Sequence, residues 1–174
     1  MTSRGLKIDL NKSELGASGF RFAIVVSRWN DLYTSRLCDG AKNALQEAGV
    51  DESSVEIFEV PGAFELPLAC LKAAESGDFD AVIALGVVIR GDTPHFDYVA
   101  GQAAAGIMQA NLQSSVPVMF GVITADSTAQ VEARSGKRED NKGFEAAVSA
   151  IEMASLMRSF NNRKGEDKAF PHVV

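Results

Sequence analysis

Cysteine is nearly absent from this chain, with two residues, Cys38 and Cys70, in 174. So few thiols exclude a disulfide framework, and both fall in helix-like apolar patterns where buried free thiols are expected. Histidine is equally scarce, and no Cys/His cluster has metal-ligand spacing, so no metal site is expected. No apolar run reaches the roughly 18 residues of a membrane-spanning helix. Positive charge is also short: 17 Lys and Arg face 23 Asp and Glu, a net charge of −6. No basic stripe is interleaved with aromatics, so nucleic acid is not an expected partner. The N-terminus, Met1-Thr2-Ser3-Arg4-Gly5, lacks the apolar centre of a signal peptide, and the expected location is cytoplasmic. Missing too are the phosphate loop of nucleotide hydrolases, the GxGxxG dinucleotide turn and the GxSxG nucleophile elbow.

What is present is an alternation of short apolar runs and helical spacing. Residues 1–19 are polar, with Leu6, Ile8 and Leu10 alternating, and read as an added strand or a tail. Strands are expected at 22–26, 55–60, 80–85 and 118–123, and helices at 31–48, 64–76, 95–113, 127–134 and 142–160. Gly49 and Gly77 make natural helix stops. Residues 161–174 read as a polar, loose tail. Wholly apolar strands separated by helices argue for a parallel sheet covered on both faces. The expected fold is a three-layer α/β/α sandwich with a four-stranded parallel, flavodoxin-like sheet, and one domain over 20–160.

Function in such a fold sits in the loops after the strands. Trp29 and Asn30 follow the first strand. The single tryptophan could stack on a planar heterocycle beside an amide, or simply cover the edge of the core. After the second strand, Ala63, Phe64 and Glu65 open a helix. Glu65 could accept from a ligand or merely complement the helix dipole. The third loop, Gly91-Asp92-Thr93-Pro94-His95, is the most informative. Thr93 or Asp92 can cap the helix and Pro94 fits its first turn, which places His95 at a helix N-terminus, a setting that binds anions. A neutral imidazole there can take a proton and return it. Asp97 is a candidate to orient the ring, although two residues along a helix it points elsewhere. The fourth loop leads to Arg134 and a run of charges through Lys142, either a phosphate site or a solvated loop. The residues alone thus describe an α/β enzyme without a cofactor, handling a planar ring and a small anion.

Five segments in order add a resemblance. They are residues 21–30, residues 60–67 (Val-Pro-Gly-Ala-Phe-Glu-Leu-Pro), residues 84–98 (Ala-Leu-Gly-Val-Val-Ile-Arg-Gly through His-Phe-Asp-Tyr), residues 120–124 and residues 141–147. Together the chain from about Phe20 to Phe160 resembles the lumazine synthases of riboflavin biosynthesis. The resemblance implies condensation of 5-amino-6-(D-ribitylamino)uracil with 3,4-dihydroxy-2-butanone 4-phosphate to 6,7-dimethyl-8-ribityllumazine, with loss of phosphate and water and no metal or organic cofactor. It implies that Trp29 stacks on the pyrimidine and that Asn30, Ala63, Phe64, Glu65, Val87, Val88 and Ile89 surround the ring and ribityl chain. Asp92, Thr93 and Arg134 would hold phosphate, and His95 would transfer protons. Phe120, Arg134 and Lys142 would come from a neighbouring subunit of a homo-oligomer. Relatives form pentamers or 60-subunit shells, and the absence of an insertion between the last two helices favours a shell. Riboflavin synthase is a further partner the resemblance allows.

Three departures stand out. Trp29 occupies a position where many relatives have Phe, and a wider indole could also hold oxidised flavins. Asp92 is an acid beside an implied phosphate site, and residues 135–140 replace a Gly/Thr-rich loop of cage-forming relatives. Two rival readings follow from the same residues: a non-catalytic flavin-binding or storage shell, and a flavodoxin-type signalling or electron-transfer module. Intact His95 and Arg134 argue against the first. The lack of a Ser/Thr-rich phosphate loop or an acidic phosphoacceptor pocket after the first strand argues against the second.

Overall fold

The computed structural model describes residues 17–166. The elements run β1 (Phe22–Ser27), α1 (Asp31–Glu47), β2 (Val55–Val60), α2 (Leu66–Glu75), β3 (Ala81–Ile89), α3 (His95–Ser114), β4 (Val118–Ala125), α4 (Thr128–Glu132) and α5 (Lys142–Glu166). Short 3-10 turns at Glu52–Ser54, Ala63–Glu65 and Arg138–Asp140 join them. All strand pairs are parallel and the sheet order is β2-β1-β3-β4. No helix among the described residues is long and apolar enough to cross a membrane.

The wholly buried β1 is the expected signature of a strand covered on both faces. Its residues alternate between two cores. Phe22, Ile24 and Val26 face α1 and α5 with Leu37, Leu45, Val148 and Ile151. Ala23 and Val25 face α2 and α3 with Leu66, Cys70, Ala103 and Ile107. Two glycines stop their helices as the sequence suggests, Gly49 at φ +85° after α1 and Gly77 at φ +81° after α2, a conformation that other residues resist.

Several boundaries differ from expectation. The helix read as 64–76 opens with a 3-10 turn and becomes α-helical only at Leu66. The last helix runs on to Glu166, so residues 161–166 are helical rather than loose; the rest of that tail and the N-terminal residues 1–16 lie outside the described residues. Cys70 is fully buried, whereas Cys38 is only half-buried, because it sits about 100° around α1 from the inward Leu37. Burial pushes the Cys70 thiol up to about 12 and raises that of Cys38 as well.

The most consequential difference concerns β3. It was expected to end at residue 85 and instead continues through Gly86 to Ile89, because β4 pairs with it along that length, up to Ile89 opposite Ala125. Gly86 fits tightly there: a Cβ would meet Leu66 Cδ1 at 3.0 Å and Ser27 Oγ at 3.2 Å, so those side chains would have to shift. Pairing with β1 ends earlier, at Val26 opposite Leu85. Residues 87–89 therefore run past β1 with one backbone edge outside that ladder.

Candidate active site

In an open parallel sheet the crevice lies where neighbouring strands send their connections in opposite directions. Here that point is between β1 and β3, since β1 leads out to β2 on one side while β3 leads to β4 on the other. A hollow of about 200 Å³ occupies it. Trp29, Asn30, Ala63, Val87, Val88, Ile89, Gly91, Thr93, His95, Phe96 and Val99 form its walls.

The local backbone explains these positions. Asn30 caps α1 in the left-handed region (φ 62°, ψ 43°), which its short polar side chain tolerates. Its Nδ2 donates to Val87 O at 2.9 Å, tying the loop after β1 to the overrunning end of β3. The amide oxygen takes no part in that bond. Trp29 is 69% exposed, so it does not cover the core edge; its ring lies beside Gly62, 3.8 Å from where a Cβ would stand. Glu65 is already engaged. Its Oε2 accepts from Gly62 N–H at 2.9 Å, the carboxylate half of a capping box, and so holds the Pro61-Gly62 turn. Phe64 is exposed, and neither Phe64 nor Glu65 forms a wall of the hollow. Asp92 is also outside the walls, between Gly91 and Thr93, which are part of them.

Helix α3 begins at His95, as expected, with Pro94 at its cap rather than in its first turn. Thr93 Oγ1 accepts from His95 N–H at a long 3.4 Å, but Pro94 holds the cap position, so neither Thr93 nor Asp92 is the helix cap the sequence suggested. The imidazole is exposed at the mouth of the hollow. Asp97 does not orient it. Its Oδ1 pairs with Arg90 Nη2 at 3.0 Å. Arg90 Nε also donates to Asp126 Oδ1 at 2.9 Å, and its guanidinium lies 4.0 Å from the Phe96 ring centre. Asp97, and then Asp126, raise the Arg90 pKa above its ordinary value.

The remaining candidates gather elsewhere. A second hollow of about 420 Å³, along the free edge of β4 and the start of α5, is lined by Phe120, Thr124, Arg134, Lys142, Glu145 and apolar neighbours including Ile123. Arg134 and Lys142 are eight residues apart in sequence, yet the backbone joins them directly, Lys142 N–H donating to Arg134 O at 2.9 Å. Between them the chain closes on itself through the Ser135–Asn141 bridge. Arg134 Nη1 is anchored to Gln130 O at 2.9 Å, and Lys142 pairs with Glu145. Glu145 escaped the sequence reading, although a base and an acid three apart in a first helical turn signal such a pair. Arg90 escaped it as well, because its partners are distant in sequence.

The candidates thus form two groups on different parts of one chain. One offers a flat aromatic, an amide oxygen, an unladdered peptide edge and a histidine. The other offers two cations and an exposed phenyl ring. Among the described residues no group of three or more His, Cys, Asp or Glu could hold a metal ion.

Residues 19–158 match the family model described as 6,7-dimethyl-8-ribityllumazine synthase. A protein of that name from Chlorobium phaeobacteroides (strain DSM 266 / SMG 266 / 2430) is 48% identical over 155 residues, covering 89% of this chain and 100% of the relative.

Proposed function

The chain belongs to the 6,7-dimethyl-8-ribityllumazine synthase family, so its activity is lumazine synthesis in riboflavin biosynthesis, and we propose that it acts at sites shared by two copies. The reaction condenses 5-amino-6-(D-ribitylamino)uracil with 3,4-dihydroxy-2-butanone 4-phosphate, giving 6,7-dimethyl-8-ribityllumazine, phosphate and water. The observation that carries the shared site is the separation of the two hollows: neither contains all the chemistry the reaction needs.

In this reading Trp29 stacks on the pyrimidine, and Asn30 Oδ1 accepts from it. The unladdered edge at residues 87–89 meets ring and ribityl groups. Ala63 shapes the wall, while Phe64 and Glu65 contribute backbone and turn geometry rather than side-chain contacts. Thr93 and the backbone at Asp92 face the phosphate, together with Arg134 from the neighbour. Phe120 of that neighbour closes the ring-binding side and Lys142 adds positive charge. The amine attacks the ketone and water leaves as the Schiff base forms. His95 removes a proton from the adjacent carbon as phosphate departs, and Arg134 stabilises the leaving charge. The enol left by elimination tautomerises to a ketone, the ribitylamine nitrogen attacks it and a second water leaves, a closure that depends mainly on holding the reactants together.

Association of one surface with a different surface of the next copy gives a ring when the rotation between copies closes, and an open filament when it does not. A pentamer, with packing of pentamers into a shell, fits this reading, and riboflavin synthase, which would use the product, is a candidate partner. The direct test mixes the protein with both substrates and follows lumazine fluorescence. The shared site is tested by dissociating and co-assembling two weak variants, His95→Ala and Arg134→Ala. Recovery of activity in the mixture is expected, because some sites then pair an intact histidine with an intact arginine. No recovery, with co-assembly demonstrated, would count against a shared site.

A further inference from the structure

We propose that Arg90 is a positioning residue that sets both phosphate-holding elements of its own chain, the Gly91–His95 loop and Arg134. The proposal rests on the shared-site reading above and extends it to a residue that lines neither hollow, although it packs on Phe96, a wall of the first.

Arg90 stands at the junction of three elements. Its N–H donates to Ala125 O at 2.8 Å, its guanidinium bridges Asp97 on α3 and Asp126 after β4, and Phe96 lies under it. Asp126 N–H in turn donates to Gln130 Oε1 at 2.9 Å, and Gln130 O receives Arg134 Nη1 at 2.9 Å. One bonded path therefore runs from the loop carrying Thr93 and His95 to the arginine that would serve the neighbouring site. A single exposed ion pair is worth little. A planar fork bonded to two carboxylates and stacked on a ring fixes an angle, which lysine cannot do. Its role is geometry rather than stability.

Arg90→Gln should lower kcat ~10-fold and raise KM for the butanone phosphate severalfold, within the ~100-fold that a 1 Å misplacement can cost. KM for the ribitylaminouracil, held by Trp29 and Asn30, should stay within about twofold, as should assembly size. Asp126→Asn should show the same split more weakly, and it serves if Arg90→Gln folds poorly. Unchanged kinetics, or equal rises in both KM values, would overturn the proposal. A second arm co-assembles Arg134→Ala with the double variant Arg90→Gln/His95→Ala. In that mixture the altered Arg90 reaches working sites only through its own Arg134. Recovered activity below that seen with His95→Ala alone supports the path to Arg134, and equal recovery refutes it. If His95→Ala and Arg134→Ala never complement, the shared-site reading fails, while the KM split still judges Arg90 at its own loop.

Discussion

The two helical layers are finished to different degrees. On one face α1 and α5 close on each other almost without a gap. A Cβ on Gly143 would stand 2.0 Å from Leu37 O, and one on Gly40 would stand 2.3 Å from the Asn141 side chain. Asn141, buried at that crossing, spends its whole amide: Nδ2 donates to Arg36 O and Gly136 O, and Oδ1 accepts from Gly143 and Phe144 N–H. On the other face α3 buries Ala103, Ile107 and Ala110 against the sheet and turns Tyr98, Met108 and Leu112 outward, with Leu68 of α2 and Phe64 exposed nearby. At that crossing the first layer is closed by its own chain, although it too leaves Leu32 of α1 and Leu156 and Phe160 of α5 exposed. The second carries apolar side chains on both sides of one helix, with Tyr98, Met108 and Leu112 of α3 each more than half exposed in the single chain.

Substitutions can break that comparison. The largest stability loss is expected for Gly143→Ala, about 3 kcal/mol or more, since backbone rather than a flexible side chain stands in the way. Urea unfolding of matched samples would measure it, and a loss under 1 kcal/mol would mean the layer is looser than described. Asn141→Ala should cost about 2–3 kcal/mol by stranding buried peptide groups, and it should also disturb the 135–141 closure between Arg134 and Lys142, lowering activity. Leu112→Glu is expected to change the fold's own stability by less than about 0.5 kcal/mol, being 77% exposed in the single chain. Under the shared-site proposal it should nevertheless reduce assembly size and turnover together, as light scattering and lumazine fluorescence would read. A large, fully active assembly of this variant would remove α3 from the association surface. The smallest effect is chemical. With its thiol held near 12 and no exposure, Cys70 should resist alkylation at pH 8 until unfolding, while half-buried Cys38 reacts slowly.

Local pattern made most of the fold readable. Apolar runs located the strands, and Gly49 and Gly77 located two helix ends. The overrun of β3 was hidden because Gly86 looks like a loop residue until β4 is seen pairing beside it. Trp29, Asn30 and His95, singled out by residue type, do line one hollow. The division of the site into two hollows came from the resemblance and depends on tertiary placement, which periodicity does not encode. Asp97 and Arg90 show the same limit, since Arg90 also bonds Asp126, 36 residues away; Glu65 does not, because its partner Gly62 N–H is only three residues away. In each case the structure supplies an intramolecular partner, Gly62 N–H for Glu65 and the Arg90–Asp97 pair for the other two.

The overrun of β3 also shapes how this protein tolerates change. The edge it offers to the crevice at residues 87–89 is made of peptide groups, which every substitution except proline preserves. Exchanges at Val88 or Ile89 can widen or narrow the hollow while its donors and acceptors stay. Shape at that wall is thus free to drift, and hydrogen-bonding capacity is inherited with the main chain.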